Sequence, residues 1–569
     1  MIALDNFTKT PTIKTPSVLN RWRFNDLPVA ELLKQLQQHL LAQDKNSNWQ
    51  LTWLNNDGRP VIGLLPKVSW SVYFCSDQTV TNSTLHPNYK IVKTHRDNGS
   101  ITTAYMSYAD WQDELISYSS HYDKGYDSNN STITLINKQN KQPSYHHGFM
   151  GFIGYDMSAH ELSPAAKIKL ATQPCAVLGH YDIYLTPTDN EAGWTLNSKI
   201  LNSETLNNEL LDIEDTLDNS KLSALIDYLN ILDNELSTID SANQPKGALA
   251  PFLTLTANWQ KSDYQQAFVQ TQRYLQQGDC YQINLTQVWQ GCLNKSLNND
   301  KTTPMLIDYL PTLHRNTQAP FAGYISVSKP ENYDLKTEVS TTDNVDTISF
   351  ELLSCSPELF FTFIKDIETD MNHIRTKPIK GTMPRGSTSK QDLLLKQQLT
   401  ASAKDRAENV MIVDLLRNDL GKYAKTGSVK VPLLFAIESF SNVHHMVSTI
   451  TAELKVDAHP LAVLFGSLPA GSITGTPKKR AVEIISELEA DARGAYCGTM
   501  GYMNFDGSGQ WNVLIRTLQA NESLSGTRKV SLWAGGGITI ASNCDDEYQE
   551  CLDKVGNLLQ VLKQETGTH

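Results

Sequence analysis

A chain of 569 residues is long enough for about two to four average domains, and 40% hydrophobic with 19% charged residues is the composition of a globular protein with a sizeable core. A formal charge of −12 excludes a general nucleic-acid binder and leaves any anionic ligand to local clusters of Arg, Lys or backbone N–H groups. None of the eight cysteines forms a CxxC pair, no basic-then-apolar leader opens the chain and no run of about 18 apolar residues spans a bilayer, so the expectation is a cytoplasmic protein without zinc, disulfides or membrane contact.

Residues 1–195 read as mixed α and β. His147 to Asp156 is apolar and punctuated by glycine, the pattern of a strand and turn against another backbone, and 177–185 reads as one strand. Residues 196–260 read as an insertion and connector, with Leu and Ile at helical spacing that predict one or two amphipathic surface helices before a proline-containing linker. The spacing predicts a helix over 262–277, with Ser262 and Gln265 as a capping box, Tyr264, Ala267, Phe268, Thr271, Tyr274 and Leu275 on one stripe, and Gly278 as its stop. A strand over 280–289 alternates Tyr281, Ile283 and Leu285 with Gln282, Asn284 and Thr286, and the polar face must meet water or a ligand pocket. Polar stretches at 291–304 and 328–347 read as loops.

Pro378-Ile379-Lys380-Gly381-Thr382 sets one lysine between a stiff residue and a freely turning one. A lysine amine attacks only when neutral, so burial or nearby cations must lower its pKa from about 10.4, and Arg375, Lys377 and Arg385 are the cations close in sequence. Taken alone, the pentapeptide is as readily a solvated basic loop. Residues 391–418 predict a helix with Glu408 on its apolar stripe, where a carboxylate needs either Lys404, one turn earlier, or a metal. A helix from Asp545 buries Cys551, Val555, Leu558 and Leu562. Glu547 and Glu550 in its first turns complement the dipole or help to hold Mg²⁺. Glu358, after Ser356-Pro357 at a strand start, is a cap or a general acid. Gly471, Ser472, Thr474 and Gly475 lie in a turn before a helix over 480–488, where backbone N–H groups suit a carboxylate; the order is not that of a Walker loop. Gly535, Gly536 and Gly537 form a second backbone surface or a place of tight sheet packing. Arg516, in a predicted apolar strand, calls for an anionic partner.

GDCYQINLTQ (278–287), SPE (356–358), PIKGT (378–382), KDRAENVMIVDLLRNDLG (404–421), HHMVSTI (444–450), PAGSITGTPKKRAVEII (469–485), IRTL (515–518), AGGGI (534–538) and EYQE (547–550) follow one another in this order. Together they closely resemble the chorismate-utilising enzymes, strongly over 262–558 and weakly over 1–190. The resemblance implies an α/β (α+β) fold of two packed antiparallel sheets flanked by outer helices. It implies an N-terminal region at 1–195, an insertion or connector at 196–260, and a chorismate-binding catalytic domain at 261–560. It also implies Mg²⁺ held by Glu408 and Glu550 with Glu547 assisting, and a substrate carboxylate met by Arg516 and by the backbone around Gly471–Gly475 and Gly535–Gly537. Lys478 would add charge nearby, His445 would contact the ring or its C4 hydroxyl, Glu358 would be the general acid and Lys380 a covalent nucleophile.

Two positions choose among the branches of this family. Lys380 stands where anthranilate and isochorismate synthases commonly have alanine, and Gln282 where isochorismate and salicylate synthases carry the lysine that activates water. Both point to the branch that aminates chorismate at C4, with the anthranilate-forming branch as the alternative. The near-complete set of site residues argues against an inert chorismate-binding subunit. No cysteine lies in the glycine-flanked elbow of a class I amidotransferase, so the ammonia is expected from a separate glutaminase subunit. The Leu-Glu-Ser-type segment that helps anthranilate synthases bind tryptophan is not found in the N-terminal region.

Overall fold

The computed structural model describes residues 20–43, 50–75, 89–123, 142–188, 192–198, 213–238, 252–293, 304–328, 347–366, 368–440, 443–523 and 527–563. Most of the two stretches expected as loops, 291–304 and 328–347, lies outside them, as does much of the connector. Among the described residues two sheets of twelve strands each carry the fold, and neighbouring strands run antiparallel. Strands such as Val68–Phe74 and Leu359–Lys365 are runs of β-branched and aromatic residues that suit a pleated, buried surface. Between the sheets, Ile325, Phe350 and Leu352 of the first meet Phe152, Met500 and Tyr502 of the second. Helices cover both outer faces. Ile213–Ser237 and Cys544–Lys563 lie on the first sheet, and Tyr108–Asp123 and Ala403–Gly421 on the second. The expected pair of packed antiparallel sheets with outer helices is what the chain forms.

Strands from both sides of residues 196–260 interleave. Leu51–Leu54 pairs with Gly323–Ser328 in the first sheet, and Gly148–Ile153 pairs with Thr499–Asn504 in the second. The helix Ile213–Ser237 is amphipathic as its spacing predicts, but it is no loose surface element: Leu222, Leu225, Leu229 and Leu232 are buried in the core of the first sheet.

Other boundaries differ for local reasons. The helix Lys261–Gln276 is capped by Gln260 with Asp263 rather than by Ser262 with Gln265, because the Gln260 N–H donates to the Asp263 carboxylate at 2.8 Å. The single helix expected at 391–418 is two, Ser389–Ala401 and Ala403–Gly421. At the break Ser402 takes a non-helical conformation and its hydroxyl accepts from the Asp405 N–H. The strand expected at 177–185 is also two. Ala176–Tyr181 belongs to the second sheet and Ile183–Pro187 to the first. The chain changes sheets at Asp182, which Arg96 grips at 2.6 and 2.9 Å.

Candidate active site

The site lies where two neighbouring passages of chain leave one sheet for the other. Thr347–Ser354 belongs to the first sheet and Leu359–Lys365 to the second, with Glu358 at the crossing. Gly509–Asn512 belongs to the second and Thr517–Ser523 to the first, with Arg516 at that crossing. The two crossings are tied together, since Cys355 N–H donates to Arg516 O and Val513 N–H to Glu358 O, both at 3.0 Å. Arg516 is therefore not in a strand as expected but at a bend with φ of +52°, a conformation that a bulky residue rarely adopts. The bend also ends the pairing of Thr517–Ser523 with Arg528–Thr539 at Leu518 and Leu532, so Gly535–Gly537 have no strand neighbour on that side among the described residues. Arg516 is half-buried and has no ion pair among the described residues. Burial pulls its pKa below the usual range, with Cys355 and Glu358 acting against that.

Lys380 is aimed by a β-bulge. Ile379 sits opposite Val447 and Thr382 opposite His445, so a step of three residues on one strand matches a step of two on the other. Pro378 interrupts the ladder just before it, and Gly381 takes φ of +84° within it. Two of the three cations adjacent in sequence are occupied elsewhere, Lys377 with Glu438 at 2.6 Å and Arg385 with Asp392 at 2.7 Å, while Arg375 Nε is buried without a partner among the described residues. The charges whose fields Lys380 shares are carboxylates instead, Glu358, Glu408 and Glu550.

Burial pushes Glu358 up to about 7, against the opposing charge of Lys380 and hydrogen bonds from the Ser472 hydroxyl and the Ile379 N–H. His445 is held down to about 4 by burial and then by Arg516, so its imidazole is neutral near pH 7; its Nδ1 lies 2.8 Å from Thr382 Oγ1. Glu408 does not pair with Lys404. That lysine crosses to Glu547 on the helix Cys544–Lys563, at 3.1 Å. Glu408 Oε1 is buried without a donor, and burial raises its pKa against Lys380 and Lys404. Glu547 is 2% exposed and also accepts from Ser542 Oγ at 2.7 Å. Partial burial pushes Glu550 up, but Lys554 at 2.8 Å, then Lys404 and Lys380, outweigh it and leave its pKa lowered.

The two glycine surfaces divide their roles. Ser472, in the short turn Gly471–Ile473, faces Glu358. Thr474 is turned inward, donating to Ala470 O at 2.8 Å while its carbonyl accepts from Asn284 N–H at 2.9 Å. Gly475, with φ of +137°, fits against the Gln282 carbonyl, where a Cβ would collide. Gly535 and Gly537 pack on the strand Gln282–Leu293, and Gly536 faces the Glu547 carboxylate. The polar face of that strand is enclosed rather than wet. Gln282 is fully buried, and neither amide atom has a partner among the described residues. Lys478 is drawn away from the other site residues, bonded to Asp419 at 2.6 Å and to the Ser467 carbonyl at 2.8 Å. Lys554, which sequence reasoning passed over, donates to Gly535 O at 2.9 Å, and its place four residues after Glu550 was the available signal.

Among the described residues no three His, Cys, Asp or Glu side chains form a ready metal-ligand set. Mg²⁺ needs only one or two carboxylates, with water and substrate oxygens completing its shell. The donorless Glu408 oxygen, in the field of Glu547, fits that requirement.

A buried acid, a lysine, an arginine without an ion pair among the described residues and clustered carboxylates come together near the places where the chain crosses between the sheets. The profile of the chorismate binding enzymes matches residues 96–560, and the chain belongs to that family. It is 36% identical to aminodeoxychorismate synthase component 1 of Salmonella typhimurium over 73% of this chain and 77% of that one. The corresponding Escherichia coli protein is 41% identical over 55% of this chain and 61% of its own. Anthranilate synthase component I from Streptococcus pneumoniae shares the fold, with a TM-score of 0.60 at 21% identity, over 88% of this chain and 91% of that one. No helix among the described residues is long and apolar enough to cross a membrane.

Proposed function

We propose that this protein is an aminodeoxychorismate synthase component I, which converts chorismate and ammonia to 4-amino-4-deoxychorismate, the precursor of p-aminobenzoate and folate. The observation that carries the reading is Lys380, turned by its bulge into the field of Glu358. Relatedness to component 1 of the Salmonella and E. coli enzymes supports it. Arg516 and the backbone of Gly471–Gly475 and Gly535–Gly537 bind one substrate carboxylate. Glu408 and Glu550, with Glu547 assisting, would hold a Mg²⁺ ion, which would supply charge neutralisation at the other carboxylate and polarisation of the ring. With its proton passed to a neighbouring carboxylate, the Lys380 amine attacks ring C2, the double bonds shift, and the C4 hydroxyl leaves as water with the proton of Glu358. Ammonia then bonds to C4, the double bonds return, and the C2–N bond to Lys380 breaks. Neutral His445 borders the ring. With Gln282 in place of a lysine, the addition of water lacks the base that the water-adding branch uses. A separate glutaminase subunit supplies the ammonia, in the cytoplasm.

Product analysis of purified protein with chorismate, Mg²⁺ and ammonium tests this. 4-Amino-4-deoxychorismate without anthranilate is the expected result, and anthranilate would instead give the role of component I of an anthranilate synthase. Lys380→Ala is expected to lose most of the amination rate; full activity in that variant would remove the covalent step.

A further inference from the structure

We propose that Lys404 and Lys554 are internal counter-cations that compete with the divalent ion for its carboxylates, so that these two lysines weaken the grip of the site on Mg²⁺. The inference rests on the metal reading above. Lys404, on the helix Ala403–Gly421, reaches Glu547 on the helix Cys544–Lys563 at 3.1 Å. Lys554 reaches Glu550 at 2.8 Å, and the Gly535 carbonyl fixes the same ammonium at 2.9 Å. Two of the three proposed ligands thus already hold an ammonium against one oxygen, whereas Glu408 Oε1 is buried without a donor. A divalent ion shared by these carboxylates must either displace an ammonium or tolerate it a few ångströms away, and both outcomes cost affinity in a half-buried site. The pairs also explain how three glutamates gather without repelling one another: Lys404 opposes the Coulombic penalty that Glu547 places on Glu408. The lysines hold the cluster together and also lower its metal affinity.

Calorimetric titration of Mg²⁺ into the full chain and into Lys404→Gln and Lys554→Gln tests this, with thermal melts with and without Mg²⁺ alongside. Glutamine keeps a hydrogen-bond donor and removes the charge. Each variant is expected to bind Mg²⁺ about tenfold tighter, to melt lower without the ion and to gain more from it. Lys404→Arg, which keeps the charge, is expected to stay at the parent affinity. Equal or weaker binding by both folded glutamine variants overturns the proposal. Lys554→Gln decides it should Lys404→Gln fail to fold, because the two ion pairs are separate. Absence of both binding heat and thermal stabilisation in all proteins, the parent included, removes the metal reading itself.

Discussion

Glu358 shows how a buried position converts an ordinary side chain into a reagent. Its carboxyl is held near 7 by burial at the crossing between the sheets, so the acid form needed to protonate a leaving hydroxyl persists to near-neutral pH. At a fixed concentration of free ammonia, turnover is expected to fall as pH rises through about 7, and Glu358→Gln to lose about 10²–10⁴ of the rate together with that limb. An unchanged limb in the glutamine variant would assign the titration to another group. The same shift carries a stability cost of known sign. The folded pKa lies above the ordinary value of 4.5, so the native state holds an extra proton between 4.5 and about 7 and loses stability as pH rises across that window. Glu358→Gln escapes this, and unfolding measured at pH 5 and pH 8 is expected to show the variant gaining up to ~3 kcal/mol relative to the parent at the higher pH.

At the scale of elements, the Lys380 bulge depends on Gly381. An added Cβ there would lie 2.8 Å from Asp405 Cγ and 2.9 Å from Leu399 Cδ1, side chains of the two helices that meet at Ser402, and the backbone already has φ of +84°. Gly381→Ala is expected to cost about 1–2 kcal/mol and to swing Lys380 off its aim, so that activity falls much more than the fraction folded. Denaturant unfolding and single-turnover amination on the same preparation check this; equal losses in both would make the bulge merely structural. The end of pairing at Leu518 and Leu532 has the same character, because the bend at Arg516 both positions the guanidinium and opens the backbone of Gly535–Gly537.

For the whole molecule, the interleaving of strands decides what can fold alone. Residues 20–198 contribute five strands to each sheet, and removing them bares the edges of Gly323–Ser328 and Thr499–Asn504 and the inner faces of Phe350, Met500 and Tyr502. A fragment of residues 261–563 is therefore expected to aggregate or to melt without cooperativity, as followed by circular dichroism and sedimentation. A soluble fragment with a sharp transition would show that the C-terminal strands suffice. The N-terminal part contributes buried side chains to the core between the sheets and to those under the outer helices, and burial of apolar surface is the main favourable contribution to folding.

Much was legible locally. The stripe Cys551, Val555, Leu558 and Leu562 is buried as its spacing predicts, and so are Tyr264, Phe268, Thr271 and Leu275. Periodicity of this kind reports interactions within a few residues, and a single sequence contains them. The segment motifs identified the family for the same reason: each is a short run whose chemistry is complete in itself. Tertiary structure alone decided that Lys404 leaves Glu408 for Glu547, 143 residues away, that Asp419 captures Lys478, and that the runs at 177–185 and 513–517 break between two sheets. Charge pairing and sheet changes are settled by which surfaces pack together. Their energies depend on distances in space and on burial, and neither is a property of neighbouring residues in the chain.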